Sequence, residues 1–192
     1  MPRLILASQS VYRLDLLLQA GFEVVAEASG VAEPPLDGFS TLDSGMIHLA
    51  ETKARAVASR HSSGVVLGCD TVGIVGEQIL GKPVDREEAR RMLQSLSGTR
   101  HAVATGWCLH RVRDGLIVGG VEWTWITMRT WSSDELEAYL DGGEWQGKCG
   151  AYGLQLPCDP FVTSISGSSA NVIGVPVERI TEVMAAFAGL FD

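Results

Sequence analysis

Several polar side chains in this sequence stand where a folded core would carry none. Ser8 and Ser10 follow an apolar run, Leu4-Ile5-Leu6-Ala7, and Arg13 lies in the first turn of the helix that comes next. Lys53 falls within the apolar stripe of a second helix, at helical spacing from Met46, Ala50 and Val57. Asp70 closes a second apolar run over residues 65–69. Lys82 stands between Gly81 and Pro83, and Lys148 sits in a glycine-rich stretch. Arg13, Lys53, Lys82 and Lys148 with one strand-end aspartate suit hydrolysis of a polyphosphate. The cations neutralise phosphate oxygens, and the aspartate acts as general base to an attacking water. A divalent ion held by one or two carboxylates normally bridges such phosphates.

Each residue also has a plainer reading. A serine before a helix usually caps it, so Ser8 or Ser10 could serve only as the N-cap. Arg13 could be a surface residue, although an arginine at a helix N-terminus opposes the dipole by about a few tenths of a kcal/mol. A bound anion would remove that conflict, and helix N-termini bind phosphate. Lys53 could snorkel, its stem packed and its ammonium in water. Asp70 could brace a turn. The sequence holds no G-x-x-x-x-G-K-[ST], no G-x-G-x-x-G after a strand and no G-x-S-x-G elbow.

The elements that must carry these residues follow from periodicity and turn signals. A strand over residues 3–7, the serine loop and a helix over 11–20 open the chain, with Gly21 past the helix end. A short strand at 22–26 and a loop at 31–39 precede a helix over about 41–60. Residues 65–69 read as a strand buried on both faces, and 72–75 with 78–80 as a hairpin around Gly76-Glu77. Asp85 caps a helix over 86–95 whose buried face is Ala89, Met92, Leu93 and Leu96, ended by Gly98. Residues 101–131 form a large antiparallel hairpin turning at Asp114-Gly115. Ser132 and Glu135 make a capping box for a helix to about Leu140. A strand at 161–165, a loop at "SGSSAN" and an amphipathic helix over about 177–187 complete the chain. Early alternation of helices and strands with an antiparallel ribbon inserted later predicts an α/β fold with a mixed sheet.

At 192 residues and 46% hydrophobic the chain can bury a proper core, as one domain or one domain of two lobes. No apolar run approaches the roughly 20 residues of a membrane span, and the first is too short for a signal-peptide core. A soluble cytoplasmic protein is expected. A net charge of −8 repels nucleic acid and anionic lipid but leaves room for a small anion in a locally cationic pocket. Cys69, Cys108, Cys149 and Cys158 form no C-x-x-C pair and have no metal-ligand spacing with the histidines, so reduced cysteines serving as small hydrophobes are expected, not a zinc site.

The pieces "LILASQSVYRLDLL", Glu33, "ETKARAVA", "LGCDTVG", "GKPVD", "LSGTRHAVATG", "TWITMRTWSSDELEAYL", "GKCGAYGLQ" and "SGSSANVIGVP", in this order, resemble the Maf family, the septum-formation-like nucleoside triphosphate pyrophosphatases. The resemblance spans nearly the whole chain. It implies a single domain over residues 1–192, with two lobes around a central cleft as one arrangement. The implied fold is a mixed twisted sheet flanked by helices, related to the inosine triphosphate pyrophosphatases. The implied activity is cleavage of a nucleoside 5′-triphosphate between the α and β phosphates, giving monophosphate and pyrophosphate with Mg or Mn. By the same resemblance Asp70 would activate water, and Ser8, Ser10, Arg13, Lys53 and Lys82 would line the triphosphate site. Glu33 would join Asp70 at the metal, Thr71 and Gln155 would bear on base selection, and the chain would form a homodimer.

This chain departs from the family pattern at three places. The usual S-x-S-P-R-R is here Ser8-Gln9-Ser10-Val11-Tyr12-Arg13. An aromatic residue at Tyr12 resembles the branch acting on 7-methylguanosine triphosphate, and an aromatic face attracts a cationic purine. Thr71 and Gln155 resemble the branch acting on dTTP and UTP, and a glutamine amide suits the imide edge of uracil or thymine. Two positions against one favour pyrimidines. Gly147 stands where the family commonly has aspartate, and Leu156-Pro157 follows Gln155 in place of glycine. The altered first motif and Gly147 leave a second class open, a non-catalytic nucleotide-binding regulator of cell division. A purely structural interaction module, the third class, needs no buried Lys53 or Asp70.

Overall fold

The structure, a computed structural model, describes residues 3–155 and 159–191. Cys158 and the departure at Leu156-Pro157 lie outside the described residues. The chain runs β1 (Leu4–Leu6), α1 (Val11–Gln19), β2 (Val24–Ala26), a 3-10 turn (Leu36–Gly38), α2 (Leu42–Ala58), β3 (Val65–Val75) and β4 (Gln78–Leu80). It continues with α3 (Arg86–Leu96), β5 (Arg100–Arg111), β6 (Ile117–Met128) and α4 (Ser133–Gly142). A second 3-10 turn (Cys149–Ala151), β7 (Val162–Ser166), α5 (Ser169–Ile173) and α6 (Val177–Phe191) follow.

Seven strands make one mixed sheet in the order β2-β1-β3-β5-β6-β7, with β4 paired to β3. β1 is parallel to β2 and β3, whereas β4 is antiparallel to β3 and β7 to β6. This is the mixed α/β architecture that the alternation of elements predicts. Among the described residues no helix is long and apolar enough to cross a membrane.

The chain divides into two compact units. The first comprises Met1–Asp70, Thr105–Glu122 and Gly174–Asp192. Its strands are covered on both faces, which is why residues 65–69 are apolar without alternation. On one face Val65, Leu67 and Cys69 pack with Leu4 and Leu6 against Leu17 of α1 and Ile180 and Met184 of α6. On the other, Ile5, Val66 and Cys108 pack against Ala50, Ala54, Val57 and Ala58 of α2. Full burial of a side chain such as Val57 contributes roughly 1.5–3 kcal/mol. Small residues let α2 come close. A Cβ on Gly68 would lie 2.0 Å from the Ala50 carbonyl oxygen, and one on Gly106 would lie 2.3 Å from that of Met46.

The second unit comprises Thr71–Ala104 and Trp123–Ile173. Ala89, Met92, Leu93 and Leu96 of α3 and Leu136 and Leu140 of α4 bury against Leu80, Val103, Ile126, Met128, Trp131 and Tyr152. Trp131 stacks on Phe161, with ring centroids 3.6 Å apart. The expected caps are present: Asp85 accepts from Glu88 N at 2.7 Å, and Ser132 and Glu135 cap α4 reciprocally. Cys69 and Cys108 are buried, and desolvation pushes their thiols up to about 11 and about 12, so they behave as small hydrophobes. Cys149 is half-buried.

Three local expectations are corrected. Asp70 does not end its strand: β3 continues through it to Val75, and the hairpin with β4 grows from the same strand. The polar pair Asp70-Thr71 interrupted the apolar pattern, but the backbone ladder does not depend on side-chain type. The "SGSSAN" segment is not all loop, since Ser169–Ile173 forms a short helix that starts where Ser168 Oγ accepts from Asn171 N at 3.0 Å. The last helix runs to Phe191.

Candidate active site

The central group is assembled by α2 and β3. Thr41 and Ser44 start α2 with a reciprocal cap, Ser44 N donating to Thr41 Oγ1 at 3.1 Å and Thr41 N to Ser44 Oγ at 3.2 Å. From that start Met46, Ala50, Lys53 and Val57 fall on one face, and all four are buried. Gly68 allows the backbone of α2 to lie directly on β3. Asp70 is two residues further on and therefore points from the same face of the strand. Lys53 lies three residues beyond Ala50, one turn along the helix, and meets it. Lys53 Nζ donates to Asp70 Oδ1 at 2.5 Å and is 2.6 Å from Glu33 Oε1.

The snorkelling reading of Lys53 therefore fails. Its ammonium reaches two carboxylates instead of water, with the Lys53 and Asp70 side chains only 8% and 13% exposed. A charge this buried is tolerable only when paired. Glu33, on the loop before the first 3-10 turn, is more than half exposed and closes the group from the solvent side.

The serine loop forms the second part. Ser10 is the N-cap of α1, its hydroxyl accepting from Arg13 N at 3.4 Å. Ser8 Oγ accepts from Ser10 N at 3.1 Å. The capping reading of these serines is thus realised in the structure, and it leaves the hydroxyls at a helix N-terminus. Arg13 bends over the loop: its Nη1 donates to the Cys69 carbonyl at 3.0 Å and to Ser8 Oγ at 3.4 Å. Cys69 is the residue before Asp70, so the arginine is fastened to the strand position next to the carboxylate. A carbonyl acceptor gives the guanidinium the negative partner that the helix dipole denies it.

The structure thus brings Ser8, Ser10, Arg13, Glu33, Lys53 and Asp70 together within the first unit. Thr71, Lys82 and Gln155 are described within the second. Thr71 is buried and follows Asp70 with its side chain on the opposite face of β3. Its carbonyl accepts from Cys149 Sγ at 2.8 Å. Lys82 is exposed between β4 and α3. Gln155 is exposed, and its Nε2 donates to Glu144 Oε2 at 2.8 Å. Tyr12, the second residue of α1, is 55% exposed. Lys148 lies over Gly153, where a Cβ would come 2.5 Å from its Nζ. Gly147 has φ +71°, backbone that favours glycine.

Sequence reasoning missed the Cys69 carbonyl, the close approach at Gly68 and the Glu144 partner of Gln155. Of these only Gly68 left a signal, as a glycine inside an apolar strand, which often marks close backbone approach.

With Arg13 beside Asp70, two cations stand against the Asp70 and Glu33 carboxylates, so the group is formally balanced. Its donors are hard oxygens, and Mg or Mn is typically bound by one or two carboxylates while phosphate and water fill the other positions. Among the described residues no group of three His, Cys, Asp or Glu side chains is placed to hold a metal. Asp70 and Glu33 are the carboxylates that contact Lys53. Asp70 can also accept a proton, and Arg13 and Lys53 can face phosphate oxygens.

Comparison with known proteins gives one consistent answer. A family model described as Maf-like protein matches residues 3–187. A dTTP/UTP pyrophosphatase of Symbiobacterium thermophilum is 38% identical over 187 residues, 97% of this chain and 95% of its own. One from Geobacter sulfurreducens is 38% identical over 189 residues, 98% of each chain. One from Anaeromyxobacter dehalogenans is 40% identical over 185 residues, 95% of this chain and 93% of its own.

Proposed function

The chain belongs to the Maf family, and from that premise we propose that it hydrolyses nucleoside 5′-triphosphates to the monophosphate and pyrophosphate, with dTTP and UTP as preferred substrates. It is a hydrolase acting on acid anhydrides. The observation that carries the reading is Lys53, buried in an apolar helix face and held between Asp70 and Glu33, with Arg13 fastened beside Asp70. A structural module needs no buried ion group of this kind.

Asp70 Oδ1 is engaged by Lys53, so Oδ2 takes the proton of the attacking water. The water oxygen bonds to the α phosphorus, the bond between the α phosphorus and the bridging oxygen breaks, and pyrophosphate leaves. Arg13 and Lys53 balance the charge that develops on the phosphate oxygens, and Lys82 adds a third cation to the triphosphate. The hydroxyls of Ser8 and Ser10 and the N-terminus of α1 offer hydrogen bonds to the same oxygens. Mg or Mn, held by Asp70 and Glu33, supplies further charge neutralisation when bound. Gln155 and Thr71 select the base, the glutamine amide meeting the imide edge of uracil or thymine.

A panel of dTTP, UTP, CTP, GTP, ATP and 7-methylguanosine triphosphate, incubated with Mg or Mn, tests this. Pyrophosphate release fastest from dTTP and UTP is expected. Fastest release from 7-methylguanosine triphosphate would assign the base preference to Tyr12 instead. Tight nucleotide binding without turnover in either metal would select the regulator reading.

A further inference from the structure

Gln155 is held at both of its ends. Its backbone N–H donates to Asp159 Oδ2 at 3.0 Å, and Asp159 Oδ1 in turn accepts from Phe161 N at 2.8 Å and Val162 N at 3.0 Å. Its side chain donates through Nε2 to Glu144 Oε2 at 2.8 Å. Glu144 is itself placed by the end of α4. Gly143 turns the chain in a left-handed conformation with φ 72°, and Trp145 Nε1 on the other side donates to Leu140 O at 3.0 Å. A carboxylate just past a helix C-terminus opposes the dipole, so its placement there has a cost that some other interaction must offset.

The chemistry of that contact is asymmetric. A primary amide can normally turn over, exchanging its oxygen and nitrogen. An ionised carboxylate only accepts, so only the NH2 end of Gln155 can face Glu144. Glu144 therefore fixes which end of the amide points where. We propose that Glu144 is a positioning residue that makes Gln155 read uracil and thymine and reject cytosine. The inference rests on the reading of Gln155 as the base-selecting residue.

With one N–H on Glu144, the amide presents its second N–H and Oε1 side by side in a set order. Uracil and thymine offer an O4 acceptor beside an N3–H donor, which matches N–H followed by oxygen. Cytosine in the same ring placement offers an N4–H donor beside an N3 acceptor, the reverse order. It would need the amide turned over, with Oε1 against the Glu144 carboxylate. One such misplaced hydrogen bond at an exposed site corresponds to about a 3- to 10-fold preference.

Glu144→Gln tests this, because it keeps size and lets the new amide either donate or accept, so both orientations of Gln155 become equivalent. Values of kcat and KM are measured for UTP and CTP with wild type and variant. The expected result is a UTP preference in the wild type that shrinks by about 3- to 10-fold in Glu144→Gln, through a lower KM for CTP. A UTP preference that survives the substitution intact, or a wild type that does not distinguish UTP from CTP, overturns the role of Glu144 and leaves the pyrophosphatase reading standing. A wild type that hydrolyses no pyrimidine triphosphate overturns the pyrimidine reading itself, and this inference with it.

Discussion

At Lys53 a helix face that otherwise buries methyl and methylene groups buries an ammonium. Its partners stand far off in sequence, Asp70 being 17 residues away, so the pair is a product of tertiary packing. The charge is stable there only because carboxylates meet it. Lys53→Met should thus destabilise the fold by about 3 kcal/mol, the scale for leaving one member of a buried ion pair alone. Adding Asp70→Leu should recover most of the loss, because the pair is then replaced by apolar groups of similar volume. Urea unfolding of the single and double variants reads both numbers. A single variant as stable as wild type would mean that Asp70 is solvated, contrary to its burial. Arg13 is the counterpart at the loop: its anchor is a backbone carbonyl, so its position survives any side-chain change at Cys69.

At the scale of elements, the contact between α2 and β3 places the carboxylate under the lysine. Gly68 makes that contact possible, since a Cβ there would sit 2.0 Å from the Ala50 carbonyl oxygen. Gly68→Ala must push the helix away, at a cost of about 3 kcal/mol or more, and should separate Lys53 from Asp70. A clearly lower Tm together with lost pyrophosphate release is expected, whereas a variant with wild-type Tm and rate would refute the role given to this packing. Helix α2 was legible from apolar spacing, α3 from its apolar face and Asp85 as cap, and α4 from the Ser132–Glu135 capping box. Asp70 was legible as chemistry but not as mid-strand, because a strand's continuity is set by its place in the sheet, here between β1 and β5, which no local pattern records. The helix Ser169–Ile173 was hidden by serine and glycine around it, residues that prefer turns when nothing packs them. The candidate charges were visible singly. That Lys53 touches Asp70 and Glu33 together, and that Glu144 holds Gln155, required the fold.

For the whole molecule, the core of the second unit contains a titratable group. His101 is 1% exposed, its Nε2 lies 3.1 Å from Tyr152 Oη, and burial pushes its pKa down to about 4. An unfolded His101 takes up a proton below its ordinary 6.5, and the folded one refuses it until about 4. Stability therefore falls as pH drops from 6.5 to 4, by about 3 kcal/mol, and this contribution levels off beneath. Urea midpoints at pH 7 and pH 4.5 should differ more for wild type than for His101→Gln, which cannot titrate. Equal pH dependence in the two would place the acid sensitivity elsewhere. Arg13, Glu33, Lys53 and Asp70 all lie within the first unit. In the proposed reaction water attacks at the α phosphorus with Asp70 as base. Product analysis of UTP turnover by wild type and Asp70→Asn, resolving UMP, UDP, pyrophosphate and orthophosphate, tests it most directly. UMP and pyrophosphate in equal amounts are expected, with a rate at least about 100-fold lower for Asp70→Asn and nucleotide binding retained. UDP with orthophosphate, or an Asp70→Asn rate close to wild type, would contradict it.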